Sequence, residues 1–257
     1  MESAEYHHAK ALLDWQVELG VLDAVQDTPV NRYEVPAAVE KPKKIAAADP
    51  MPTGIVAPVK VDEVAEATRL AASADTLDAL RAAMERFELF ELKKGARNLV
   101  FCDGIPGARV MLIGEAPGRD EDREGRPFVG RAGQLLDKML DAIEMGRTRQ
   151  EAPVYITNVL PWRPPQNREP RPEDIAMMRP FVQRHVELAE PELVILMGNI
   201  SCEAVLMKRG ITRLRGTWAE AFGKPAMPMF DPEQLMRQPQ LKREAWADLL
   251  EIKARLT

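Results

Sequence analysis

Three stretches of this 257-residue chain carry side chains able to do chemistry. The loop "GEAPGRDEDREGRPFVG" gathers Glu115, Asp120, Glu121 and Asp122, and carboxylates this crowded can hold a water or offset a developing positive charge. The same loop ends at Phe128, between Pro127 and a glycine-bounded turn, where a ring face can stack on a planar ligand. Asn158 closes the apolar run "VYITN", where one amide can both donate to and accept from the edge of a heterocycle. Each has a plainer use: an acidic loop can simply be solvated, Phe128 can be core, and Asn158 can cap the following turn. "GEAPG" itself is no phosphate-binding fingerprint. It lacks the Lys-Ser/Thr ending of a P-loop and the glycine spacing of a dinucleotide fold.

The third stretch, "PMFDPEQLMRQP", reads as the end of a buried strand that turns at Asp231-Pro232 into a short helix or loop carrying Arg237. What Asp231 does there depends on the elements that place it.

From Val110 onward the chain alternates strand and helix. "RVMLIG", "VYITNVL", "LVILMG" and "AMPMF" predict buried strands, and "RLRGTW" a further short one. "AGQLLDKMLDAI" predicts a helix with Leu135, Leu136, Met139, Leu140 and Ile143 on one face. Further helices are predicted over residues 173–189, in "SCEAVLMKRG" and in the closing "QLKREAWADLLEIKARL". The segments after "RVMLIG" and "VYITNVL" read as loops, the second stiffened by proline. Such alternation predicts a mostly parallel sheet with helices on both faces and a ligand cleft at the C-terminal strand ends. That topology brings Glu115–Phe128, Asn158–Arg168, the segment after Gly198 and Asp231–Arg237 around one cleft.

Upstream, residues 61–71 and 76–87 predict two amphipathic helices. Residues 35–60 hold Pro36, Pro42, Pro50, Pro52 and Pro58 among alanines and lysines, and read as a linker. Residues 1–34 read as an N-terminal helical extension, with Leu12, Trp15 and Leu19 at helical spacing.

Composition bounds the function. Hydrophobic residues at 46% and charged residues at 29% describe a soluble globular protein, and no apolar run is long enough to cross a bilayer. The polar start "MESAEYHHAK" does not read as an export signal, so the expected location is cytoplasmic. Two cysteines, Cys102 and Cys202, are expected to be reduced thiols. With three histidines in all, a His/Cys metal site is hard to build, while the acidic loop could hold Mg²⁺ only incidentally. The net charge of −5 argues against a broadly basic protein but not against local phosphate contacts from "LMKRGITRLRG" or from Arg237, Lys242 and Arg243.

Taken together, "GEAPGRDEDREGRPFVGRAGQLLDKML", "VYITNVLPWRPPQNREPRPEDI" and "PMFDPEQLMRQP" strongly resemble the family 4 uracil-DNA glycosylases, the iron–sulfur type of bacteria and archaea. The likeness runs from Phe87 to the C-terminus. Residues 1–80 look like the N-terminal extension of some proteobacterial members. The resemblance implies a three-layer αβα sandwich over residues 61–257 around a mostly parallel four-stranded sheet. It also implies hydrolysis of the N-glycosidic bond of uracil, or of another deaminated or damaged base, after flipping into a pocket. Glu121 matches the family's acidic catalytic residue, Phe128 the aromatic that stacks on uracil, and Asn158 the amide that reads the base edge. Ala116, beside Glu115, matches a pocket-lining position. The implied partner is DNA, damaged or single-stranded, bound by a monomer without a membrane. Arg163, Arg168, Arg213, Arg215 and Arg237 are the expected phosphate contacts.

Two departures qualify the likeness. The family's four cluster cysteines match Phe87, Phe90, Trp162 and Met178, so no iron–sulfur cluster or other cofactor is expected. Four large apolar replacements predict instead a hydrophobic plug joining the segment near Phe90 to the loop after Asn158. The family's His-Pro motif begins here with Asp231, paired with Glu121 as the second catalytic candidate. An ionised aspartate cannot donate to the uracil O2 as negative charge develops there; a protonated one can, and only desolvation would keep it so at neutral pH. The sequence therefore leaves two readings, a base-excising enzyme or a DNA-binding relative with little excision. A structural or nucleotide-sensing role without DNA is a third, against which "RPPQNR" and "KRGITRLRG" speak.

Overall fold

The computed structural model describes residues 62–257; the expected N-terminal extension and linker lie outside the described residues. Two helices open this part, α1 (Glu63–Ala72) and α2 (Leu77–Arg86). Both have side-chain N-caps, from Asp62 and Thr76, which satisfy amide donors that a first turn leaves free.

The core is a six-stranded mixed sheet. Its strands are β1 (Asp103–Gly104), β2 (Val110–Gly114), β3 (Val154–Asn158), β4 (Leu193–Met197), β5 (Ala219–Ala221) and β6 (Lys224–Met229), in spatial order β1-β3-β2-β4-β6-β5. The four inner strands are parallel, as expected, and the short β1 and β5 add antiparallel edges. Every residue of β2, β3 and β4 is buried, which is why these strands read as unbroken apolar runs rather than as alternation.

The connecting helices are α3 (Arg119–Glu124), α4 (Arg131–Asp141), α5 (Pro172–Ala189), α6 (Gly198–Leu206), α7 (Ile211–Leu214), α8 (Pro232–Arg237) and α9 (Lys242–Leu256). They fall into two groups flanking the sheet: α1 and α2 pack on α5, which also meets α6, while α4 packs on α8 and α9. No described helix is long and apolar enough to cross a membrane.

Two segments depart from expectation. The acidic loop contains α3, started at Gly118 by the Glu121 carboxylate and stopped by Gly125 in the left-handed region at φ 71°. The strand expected at "RLRGTW" is instead the one-turn helix α7 followed by a turn, and β5 begins only at Ala219. The cause is remote in sequence: Asn199 Oδ1, on α6, accepts from the Gly210 and Ile211 N–H groups at 3.1 and 2.9 Å and so starts the helical turn.

Candidate functional site

In-register pairing sets Gly114 of β2 beside Asn158 of β3, and Met197 of β4 beside Met229 of β6. The loops leaving these ends enclose a cavity of about 300 Å³. Glu115, Ala116, Glu121, Phe128, Asn158 and Asp231 all line it. It adjoins a second, outer cleft that shares Glu115, Ala116, Asn167 and Glu233 and is bordered by Arg168, Arg209 and Arg237.

Gly114 is the hinge of this arrangement. A Cβ there would lie 2.6 Å from the Phe128 ring and closer still to Asn158 Oδ1, so only glycine lets ring and amide meet at the strand end. Asn158 is 4% exposed and lines the cavity, and no hydrogen bond to its side-chain amide is found among the described residues. An amide that faces a cavity with no protein partner is free to pair with a ligand that enters it.

Phe128 is held in an uncommon backbone conformation, φ 54°. Arg147 holds it there. Its Nη2 donates to the Phe128 carbonyl at 3.0 Å and its Nη1 to the Pro127 carbonyl at 3.1 Å, while ion pairs to Asp103 and Asp137 fix the guanidinium. Gly133 leaves room for the same carbonyl, since a Cβ there would overlap it. Arg147 is a positioning residue that no local motif signals; its role arises only when the chain brings it against the loop nineteen residues earlier.

Glu121 is tied to its own loop. Oε2 accepts from the Gly118 N–H at 3.1 Å, and Oε1 from the Val129 and Gly130 N–H groups at 3.0 and 2.8 Å. A carboxylate offers about four acceptor sites, so roughly one remains for a water or a sugar. Asp120 also lines the cavity, whereas Asp122 points away and accepts from the Arg97 N–H at 2.8 Å.

Asp231 caps α8, with Oδ1 accepting from the Glu233 N–H at 2.8 Å. Burial first, and then the charge of Glu115, push its pKa up to about 7, against the pull of the Glu233 N–H and of Arg237. Glu115 is itself raised by burial, although its Oε1 accepts from the Ile200 N–H at 3.0 Å at the start of α6. The shift is in the direction that the sequence sets as the condition on Asp231, toward the acid form near neutral pH, although the side chain is half-buried rather than enclosed.

This has a consequence for stability. In the unfolded chain the aspartate titrates near 4, so between there and about 7 the folded protein holds a proton that the unfolded one has lost. Stability from this group is present below pH 4 and is gone above pH 7. Asp231→Asn keeps the cap and removes the titration. Its melting temperature should match wild type at about pH 3.5 and exceed it at pH 8 by roughly 4–8 °C, for about 2 kcal/mol after discounting for the open cavity. Equal shifts at both pH values would contradict a half-buried Asp231 that holds a proton.

The five arginines part company. Arg213 and Arg237 are exposed, Arg237 with only a 3.8 Å pairing to Glu233. Arg168 borders the outer cleft while pairing with the buried Asp174, and Arg163 Nε donates to Asn167 Oδ1 at 2.9 Å, beside both cavities. Arg215 is engaged within the fold. Its guanidinium is 19% exposed, pairs in bidentate fashion with the buried Asp248 of α9, and lies over the Phe230 ring. It ties α9 to the turn before β5. Arg209, at the outer cleft, pairs with Glu169 and Glu203.

At the four positions where the resemblance implies cluster ligands, the volume is filled. Phe87, Phe90, Trp162 and Met178 are all buried. Phe87 packs on Phe181 with centroids 5.5 Å apart, Phe90 on Trp162 at 5.6 Å, and Lys93 lies 5.7 Å over the indole. Phe90 and Trp162 thus join the segment before β1 to the loop after β3. Rings and a thioether in closed packing do not fit an iron–sulfur cluster, which needs thiolates. Cys102 and Cys202 are free. His185, the histidine among the described residues, is buried against Tyr155 with its pKa pushed down to about 3.

Residues 101–250 match the family model of the uracil DNA glycosylase superfamily. A type-4 uracil-DNA glycosylase of Sulfurisphaera tokodaii is 32% identical over 188 residues, covering 70% of this chain and 84% of that protein. One from Archaeoglobus fulgidus is 36% identical over 171 residues, covering 63% and 84%. One from Thermotoga maritima is 38% identical over 143 residues, covering 54% and 72%. With the model spanning more than half the chain, and Phe87, Phe90, Trp162 and Met178 where thiolates would be expected, the chain belongs to the uracil-DNA glycosylase superfamily as an atypical relative of its type-4 members.

Proposed function

We propose that this protein is a DNA-binding member of its family that takes one unpaired base into the Phe128–Asn158 cavity and hydrolyses uracil nucleotides only slowly at neutral pH. The observation that carries this is Asn158: buried, without a partner, and facing the same cavity as the Phe128 ring. A base inserted there would stack on the ring and pair with the amide, gaining back the hydrogen bonds that unstacking costs.

Slow hydrolysis follows from the wall opposite. Cleavage of a uracil nucleotide leaves negative charge on the base, and the groups at the end of β2 and the start of α8 are Glu115, Asp231 and Glu233. Carboxylates repel that charge where a hydrogen-bond donor would stabilise it. Glu121, with about one acceptor site left, supports the cationic sugar weakly. Arg163, Arg168, Arg213 and Arg237 are the proposed phosphate contacts, on loops around the cleft.

The test compares otherwise identical single-stranded oligonucleotides with and without one uracil. Wild type should prefer the uracil strand, and Asn158→Ala should reduce that preference about tenfold while non-specific affinity stays constant. Single-turnover analysis should show abasic product forming slowly. An Asn158→Ala protein that is folded and retains the full preference would refute the base-pocket reading.

A further inference from the structure

The cavity wall has a charge pattern that neutral uracil does not use. Glu115 and Asp231 both line it, and among the described residues neither is within ion-pair distance of a cationic side chain; their recorded partners are backbone N–H groups. Arg119 and Arg131 border the cavity but are exposed. Glu233, also in the wall, has Arg237 at 3.8 Å, with both side chains mostly in solvent. The same cavity holds the unpartnered, 4% exposed Asn158 amide and the Phe128 ring. Two uncompensated carboxylates, an aromatic face and a free amide together describe a site for a planar cation.

We infer that the cavity selects a positively charged, N-alkylated base over neutral uracil, an inference that rests on the base-pocket reading above. Such a ring is attracted by Glu115 and Asp231 and by the face of Phe128, and an exocyclic amino group or ring carbonyl gives Asn158 its complement. Its hydrolysis also suits this wall. The water oxygen bonds to C1′ as the C1′–N bond breaks, and the bonding pair passes to the ring system and cancels its positive charge. The base leaves neutral, and the surplus proton of the water goes to solvent. No anion forms beside the carboxylates, so a wall that opposes release of uracil does not oppose release of this base.

The probes are three single-stranded oligonucleotides of one sequence, carrying at one position 3-methylcytosine (a cation at neutral pH), uracil or cytosine. At pH 7.5 the full-length protein should bind the 3-methylcytosine strand at least about tenfold more tightly than the uracil strand, and release that base faster. A Glu115→Gln/Asp231→Asn variant, checked for folding by circular dichroism, should lose the preference. Uracil bound as tightly as 3-methylcytosine, but more tightly than cytosine, would overturn this inference and leave the base pocket standing. A preference that survives the double neutralisation would overturn it too. If neither modified strand is bound better than cytosine, the base-pocket reading falls with it.

Discussion

Asp231→His should raise single-turnover release of uracil from single-stranded DNA by roughly a hundredfold at pH 7.5, the scale of one regained oxyanion donor. The position is suited to the change. Asp231, at the N-terminus of α8, lines the same cavity as Phe128 and Asn158, so a donor there shares the space that a stacked uracil would fill. Imidazole donates through one ring nitrogen even when neutral, so the gain should hold through pH 8. Neighbouring Glu115 would favour the imidazolium and strengthen the donor. The cost is the cap on the Glu233 N–H, about 1 kcal/mol of stability. Wild type should behave differently with pH. Its Asp231 donates only when protonated, so uracil release should rise as pH falls through about 7, while Asp231→His keeps a donor on both sides of pH 7 and should depend less on pH. Adding Glu121→Gln to Asp231→His tests whether the remaining acceptor site of Glu121 supports the cationic sugar. An Asp231→His protein that folds, binds uracil-containing DNA and stays as slow as wild type would end the argument that Asp231 limits the reaction.

Much of this was legible because burial leaves its mark locally. β2, β3 and β4 are covered on both faces, and each appears in the sequence as a run of apolar residues with no polar alternation. Once those strands run parallel, their C-terminal ends must converge, and Glu115, Phe128, Asn158 and Asp231 meet without further information. The misreadings share a different physics. "RLRGTW" reads as strand in the sequence because the acceptor that starts α7 belongs to Asn199, eleven and twelve residues before the amides it caps. Arg215 reads as part of a basic patch because its ion-pair partner, the buried Asp248, lies 33 residues on. Arg147, which braces the strained Phe128, belongs to no motif at all. Charge that is consumed inside the fold and charge that faces a ligand look alike in a one-dimensional chain.

Phe90→Ala should lower stability by about 3–5 kcal/mol, the usual cost of emptying an aromatic site in a packed core. Phe90 is fully buried, and its ring meets Trp162 at 5.6 Å, so the change loses both burial and the ring pair. Phe90→Cys, which restores one family-like ligand, should cost about 2–5 kcal/mol for the same reason, because one thiol fills little of the space. Phe90→Leu keeps most of the volume and serves as the control. The measurement is the urea midpoint at constant m, so that the change reports on stability rather than on the compactness of the unfolded state. The contact also has a functional reach. Trp162 begins the loop that carries Arg163, Asn167 and Arg168 to the cleft, and Phe90 is what pins its start. Phe90→Ala should therefore weaken DNA binding even at temperatures where the protein remains folded, whereas Phe87→Ala, which loosens the Phe181 side of the plug, should cost stability alone. If Phe90→Ala loses less than about 1 kcal/mol, the ring pair is not the clamp between these segments and the loop must be held from its Asp174 end, through Arg168 and Arg171.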